Sequence, residues 1–152
     1  MGRRREGREA AVQFLFAHEL HAEHSEEEKE SFWSLHMARR GARDYAMELI
    51  KGVLAHLTEI DARIESTADN YRIERLANVD RNVLRLAIYE LLYVPEAPPP
   101  VVINEAIEIA KKFGSTESGS FVNGLLDRIA NGPKENRATV PAPIPADPPT
   151  AP

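Results

Sequence analysis

Four arginines, Arg3, Arg4, Arg5 and Arg8, fall within residues 3–8 with Glu6 as the opposing acid. Four cations less one carboxylate leave a local charge of +3 in a chain whose formal net charge is −5. Guanidinium groups bind phosphate bidentately and stack on unpaired bases. A short basic arm on an acidic body points to one localised anionic partner, not to indiscriminate coating of nucleic acid.

A second stretch, FGSTESGSFVNGLLDRI at residues 113–129, sets a puzzle. Ser115 and Thr116 stand where a helix would be capped, and Phe121, Val122, Leu125, Leu126 and Ile129 follow at helical spacing, yet Gly119 and Gly124 fall inside the helix. Each glycine costs roughly 1 kcal/mol relative to alanine there. On a wheel the side opposite the apolar stripe is Thr116, Ser120, Asn123, Gly124 and Asp127, short and hydrogen-bonding where solvated faces favour Lys, Glu and Arg. Such a ridge suits the close approach of a sugar-phosphate chain. The glycines could equally admit neighbouring helices of the same protein.

Catalytic constellations are missing. There is no P-loop, GxSxG or HExxH pattern, and with no cysteine there is no thiolate nucleophile, thiolate metal site or disulfide. His18, His21 and His24 drift around a helix by about 120° and read as a solvated histidine-rich helix end, not a metal site. No catalytic residue, metal or cofactor is therefore expected. VLRLAIYELLYV is interrupted by Arg85 and Glu90, so no membrane span is expected, and the basic N-terminus leads into an amphipathic segment unlike a secretory signal. A cytoplasmic protein is the simplest expectation.

The elements that position these residues repeat with a period near 3.6, which predicts an all-α fold. A first helix over about 5–22 carries Val12, Leu15, Phe16 and Leu20 on one stripe, with Phe14 and His18 on the other side. It is either packed on two sides or leaves an aromatic exposed. A second helix starts at a Ser25–Glu28 capping box, points Phe32 and Leu35 inward with Trp33 as a further candidate, and is broken by Gly41. A long third, about 43–65, bears Ala46, Leu49, Ile50, Val53, Leu57, Ile60 and Ile64. After an irregular segment with Tyr71, Ile73 and Leu76, a helix from Asn78 or Asp80 to Tyr93 is apolar around most of its circumference and should be central.

Pro95–Pro100 ends that helix, and Pro100 can open the next, with Ile103, Ala106, Ile107, Ala110 and Phe113 inward and Glu108 paired to Lys112. Gly114 is placed for a left-handed cap before the last helix. About seven helices should form two small bundles, residues 3–65 and 66–130, packed as one domain over 1–130. From Gly132 onward the chain holds seven of its eleven prolines, so residues 131–152 are expected to be a disordered, Pro-rich tail.

The run VDRNVLRLAIYELLYVPEAPPPVVINEAIEIAKKFGSTESGSFVNGLLDRIA, with RRREGREAAVQFLFAHEL at the start, resembles the bacterial transcription antitermination factor NusB family over about residues 3–130. The resemblance implies two perpendicular helical bundles and a protein that is not an enzyme. It further implies pairing with the ribosomal protein NusE, binding of single-stranded boxA RNA in nascent rRNA, and work within the RNA polymerase antitermination complex alongside NusA and NusG. Some relatives self-associate by covering the RNA surface, which makes a homodimer one expected state. The RNA-binding positions it carries over are Arg4, Arg5, Arg8, Gln13, Phe16, Phe113, Glu117, Ser118 and Phe121, with Glu74 and Asp80 facing NusE.

Glu6 stands where relatives often have a basic residue, and Phe16 replaces a usual tyrosine. Phe121, at the margin of its stripe, is favoured over Phe113 as the exposed stacker, although both could be core. Two rival readings remain: a helical protein-interaction adaptor without RNA contact, and an RNA-binding module like that of rRNA cytosine methyltransferases.

Overall fold

The computed structural model describes residues 3–20, 32–33, 40–68 and 72–131. The expected Ser25–Glu28 capping box, Leu35, Tyr71, His21, His24 and the tail from Gly132 lie outside them. Among the described residues the fold is all-α, with six helices: α1 (Arg3–Leu20), α2 (Arg40–Ala55), α3 (Leu57–Thr67), α4 (Asn78–Tyr93), α5 (Pro99–Phe113) and α6 (Thr116–Asn131). A 3-10 turn at Ile73–Arg75 precedes α4, and Phe32 and Trp33 are helical. No described helix is long and apolar enough to cross a membrane. No group of three His, Asp or Glu side chains among the described residues is gathered to hold a metal ion.

The apolar helix is central, as its composition predicts: α4 packs against α1, α2, α3, α5 and α6. Val83, Leu84, Leu86, Ala87 and Ile88 are buried on it, and its circumference also buries Asp80, Asn82, Arg85 and Glu90. Charged groups survive there because each guanidinium finds carboxylates from other helices. Arg81 grips Glu19 of α1 through Nε and Nη2 (2.8 and 2.7 Å). Arg85 donates to Glu19 through Nη1 (2.5 Å) and to both oxygens of Asp61 on α3 (2.9 and 3.0 Å). The arginines of the DRNVLR run thus clamp three helices together.

Several local expectations change. The long third helix is two, because the chain turns at His56, whose amide is shared between the carbonyls of Gly52 and Val53 (both 3.2 Å). The His56 ring stacks on Tyr93 at 4.0 Å, an aromatic contact that periodicity cannot reveal. Gly41 is the second residue of α2, and residues 34–39, over which the second helix is expected to end, lie outside the described ones. On α1 the aromatic roles are exchanged: Phe14 is buried against Phe32, and Phe16 is exposed.

On α5 the inward face is Val102, Ala106, Ile109 and Ala110, with Ile103, Ile107 and Phe113 only partly covered, so the stripe is rotated from the one expected. Pro99, not Pro100, opens this helix. Gly114 has φ −118°, outside the left-handed region. Its missing side chain serves close packing instead, since a Cβ there would lie 2.6 Å from Ser118 Oγ and 2.8 Å from the Ala110 carbonyl.

The two glycines of α6 have separate explanations. Gly119 faces the Lys111 side chain and Ile107 of α5, with a Cβ only 2.7 Å from Lys111 Cγ, so it admits a neighbouring helix. Gly124 has nothing within 4 Å and lies on the open ridge with Thr116, Ser120, Asn123 and Asp127, all exposed. Ser115 caps the helix as expected, its Oγ accepting the Ser118 amide at 3.1 Å.

Candidate nucleic-acid interface

Residues Arg5, Glu9, Gln13 and Phe16 fall within about 80° of one another on α1 at 100° per residue. Phe16 is 38 % exposed and Gln13 is half-buried. Arg5 is held against α5 by Glu105, with Nε and Nη2 each 2.6 Å from a carboxylate oxygen. This pair engages one edge of the guanidinium and leaves the Nη1 edge available, with the side chain 23 % exposed. The hydrogen bond to Arg5 is the main reason the Glu105 carboxyl is held below the usual carboxylate range.

A second bridge runs in the opposite sense. Lys112 of α5 reaches Glu9 of α1, Nζ to Oε1 2.9 Å, while its ammonium lies 5.5 Å from the centre of the Phe113 ring. The expected Glu108–Lys112 pair is therefore absent, and Glu108 meets Lys111 at 3.6 Å. The two bridges bring one face of α1 beside the end of α5 and the junction leading to α6, where Phe113 is half-buried and Glu117 exposed. Two distant sequence segments thus meet at a surface carrying cations, an aromatic face and amide and carboxylate acceptors.

Other expected contacts are placed elsewhere. Arg8 is buried, and its guanidinium is committed to Glu90 through Nε and Nη2 (2.8 and 2.9 Å) and to Glu105 through Nη1 (3.4 Å). Tyr45 donates to the same Glu90 at 2.9 Å. As folded, Arg8 is a structural strut and not an exposed phosphate ligand. Arg4 is exposed and turns toward α2, 5.2 Å over the Tyr45 ring. The basic arm is consequently largely neutralised, because Glu90 and Glu105 answer Arg8 and Arg5.

Phe121 is buried in the core and Phe113 is the more open ring, the reverse of the expected order. Ser118, also buried, lies beside the buried Asp80 and favours its ionised form, while Asp80 Oδ1 has no hydrogen-bond partner. Burial pushes the Asp80 carboxyl up, and the Ser118 contact offsets this only in part. Neither residue presents its side chain outward, whereas Glu74 on the 3-10 turn is exposed beside Arg72 at 3.5 Å. Sequence reasoning missed Glu9, Glu105 and Lys112. The one available signal was Glu105 standing among apolar positions of α5.

The sequence matches the NusB family model over residues 5–131. The chain belongs to the NusB family. Transcription antitermination protein NusB of Sorangium cellulosum is 48 % identical over 130 residues, spanning 86 % of this chain and 93 % of that protein. The NusB of Myxococcus xanthus is 48 % identical over 135 residues, spanning 86 % and 96 %. Among solved structures, T. maritima NusB superposes with TM-score 0.75 at 42 % identity, covering 89 % of this chain and 96 % of that one. The NusB fold also appears in a crystal structure of antitermination factors NusB and NusE in complex with dsRNA, with TM-score 0.76, 31 % identity and coverage of 88 % and 99 %.

Proposed function

We propose that this chain is a transcription antitermination factor that, together with ribosomal protein NusE, binds boxA RNA of nascent rRNA transcripts and helps RNA polymerase read through terminators. The observation that carries this reading is the Lys112–Glu9 bridge, which joins the Arg5–Phe16 face to the α5–α6 junction. The relative solved with NusE and RNA supports the same kind of assembly. The chain acts by binding, not by bond chemistry, beside RNA polymerase with NusA and NusG in the bacterial cytoplasm.

In this reading the outer edge of Arg5, together with Arg4, meets phosphates, and Phe16 and Phe113 offer ring faces to unstacked bases. Gln13 and Glu117 lie where they can exchange hydrogen bonds with base edges. Arg8, Ser118 and Phe121 support this surface from behind. Glu74 is the acid presented to the basic ribosomal partner, with Asp80 shaping the segment from within. In this reading residues 1–130 are the binding unit.

The test is an anisotropy titration of single-stranded boxA RNA, a scrambled strand and a duplex, against the protein alone and with NusE, across salt. Preference for the boxA strand, strengthened by NusE, is the expected result. Equal affinity for all three RNAs with and without NusE would leave the adaptor reading in its place.

A further inference from the structure

The two cations that bridge α1 and α5 each have an oxyanion beside them. Arg5 has Glu105, and Lys112 has Glu9. The two pairs differ in one respect that matters for a ligand. Arg5 keeps a free edge while still bound to Glu105, but the contact on Lys112 is a single hydrogen bond at the surface. Lys112 is 57 % exposed and Glu9 only 18 %, so the ammonium projects beyond the carboxylate that holds it.

Resting on the RNA-binding reading, we propose that Lys112 is a phosphate subsite and that Glu9 is its internal occupant, giving way to a phosphodiester when RNA binds. Carboxylate and phosphate are both oxyanions, so the exchange keeps an ionic hydrogen bond on Nζ throughout. The displaced carboxylate is a surface group, already partly open to solvent while paired, so once freed it turns to water and its ions. Phe113, under the Lys112 ammonium, places a ring face beside the same subsite, so one nucleotide can give its phosphate to Nζ and its base to the aromatic.

The arrangement has a thermodynamic signature. An exposed lysine that binds phosphate releases a counterion from the RNA, but here the freed Glu9 takes one up, and the two nearly cancel. The wild-type protein therefore binds with a shallower salt dependence than its cations suggest. Removing the Glu9 charge removes the competitor and restores the missing ion.

The experiment is a titration of a short single-stranded boxA RNA from about 50 to 300 mM salt, using the full chain and the variants Glu9→Gln, Lys112→Gln, their double variant, and Glu59→Gln as a control. Glu59 lies exposed on α3, which packs chiefly on α2, α4 and α6, and its loss changes the net charge by the same amount. E9Q is expected to tighten binding roughly three- to tenfold and to steepen the slope of log K against log salt by about 0.7. K112Q weakens binding and makes E9Q silent in the double variant, while E59Q leaves both quantities near wild type. Wild-type binding with no response to E9Q, or an E9Q gain that persists without Lys112, overturns the subsite while the RNA-binding reading stands. No boxA preference in either wild type or E9Q sinks both.

Discussion

Arg8 and Glu90 face each other as a two-pronged ion pair in the interior, 4 % and 1 % exposed, with Tyr45 closing the second carboxylate oxygen at 2.9 Å. The pair turns an arginine of the basic arm inward and fixes α1 to α4. It also steadies Glu105, and through Glu105 the surface residue Arg5.

Removing one member of that pair leaves the other buried and uncompensated. Arg8→Ala is expected to destabilise the protein by about 3 to 5 kcal/mol. Arg4→Ala, at the exposed neighbour, should change stability by less than about 1 kcal/mol. Urea denaturation of both variants checks this, and equal midpoints would contradict the assignment of Arg8 as a strut.

The two phenylalanines of α1 should part company in the same way. Phe14→Ala empties a buried site and is expected to cost about 3 to 5 kcal/mol of stability. Phe16→Ala should leave the denaturation midpoint nearly unchanged and weaken RNA binding by about 1 to 3 kcal/mol, the value of one stacked base. Anisotropy and urea melts on the same samples separate the two effects.

The glycines of α6 predict opposite outcomes for one substitution. Gly124→Ala places a methyl in open space and should stabilise the helix by about 0.5 to 1 kcal/mol. Gly119→Ala gains the same propensity but must push back the Lys111 side chain, whose Cγ lies 2.7 Å from the new atom. G119A should therefore melt below G124A, and the reverse order would place the α5 contact in error.

Acid sensitivity follows from the buried carboxylates. Burial alone would raise Glu19, but hydrogen bonds from Arg81 and Arg85 outweigh it and hold the group below its ordinary value. Its contribution is fully present above the unfolded carboxylate pKa of about 4.3 and is lost as pH falls through the lower folded value. Glu105, held down chiefly by Arg5, behaves alike. Asp80 runs the other way, since its raised pKa makes the ionised form a burden that acid relieves. Stability should fall below about pH 4, and Glu19→Gln should flatten that fall while lowering stability at pH 7. Urea midpoints at several pH values decide it.

Helical periodicity was enough to find α1, α4, α5 and α6 and to place α4 in the centre, because apolar spacing registers how many neighbours a helix must satisfy. It could not separate Phe14 from Phe16, since both aromatics are compatible with either side of α1 until Phe32 is in place. Nor could it tell that Arg8 turns inward. An arginine looks the same in sequence whether solvent or a carboxylate 82 positions away receives it. The break at His56 escaped for a similar reason, since it follows from stacking against a ring on another helix, with neither proline nor glycine at the turn. Glu9 and Lys112 sit 103 positions apart, and only folding pairs them.

The approach of Ser118 to Asp80 joins the beginning of α6, beside the surface proposed for RNA, to the beginning of α4, beside the turn that presents Glu74. Two ligands that touch no common atom would still share this strut. If both bias its position, each must alter the affinity of the other by the same factor, because such linkage is reciprocal. A transcript and a ribosomal subunit protein would then read one another through a single hydroxyl, and Ser118→Ala would shrink the factor by which each strengthens the other.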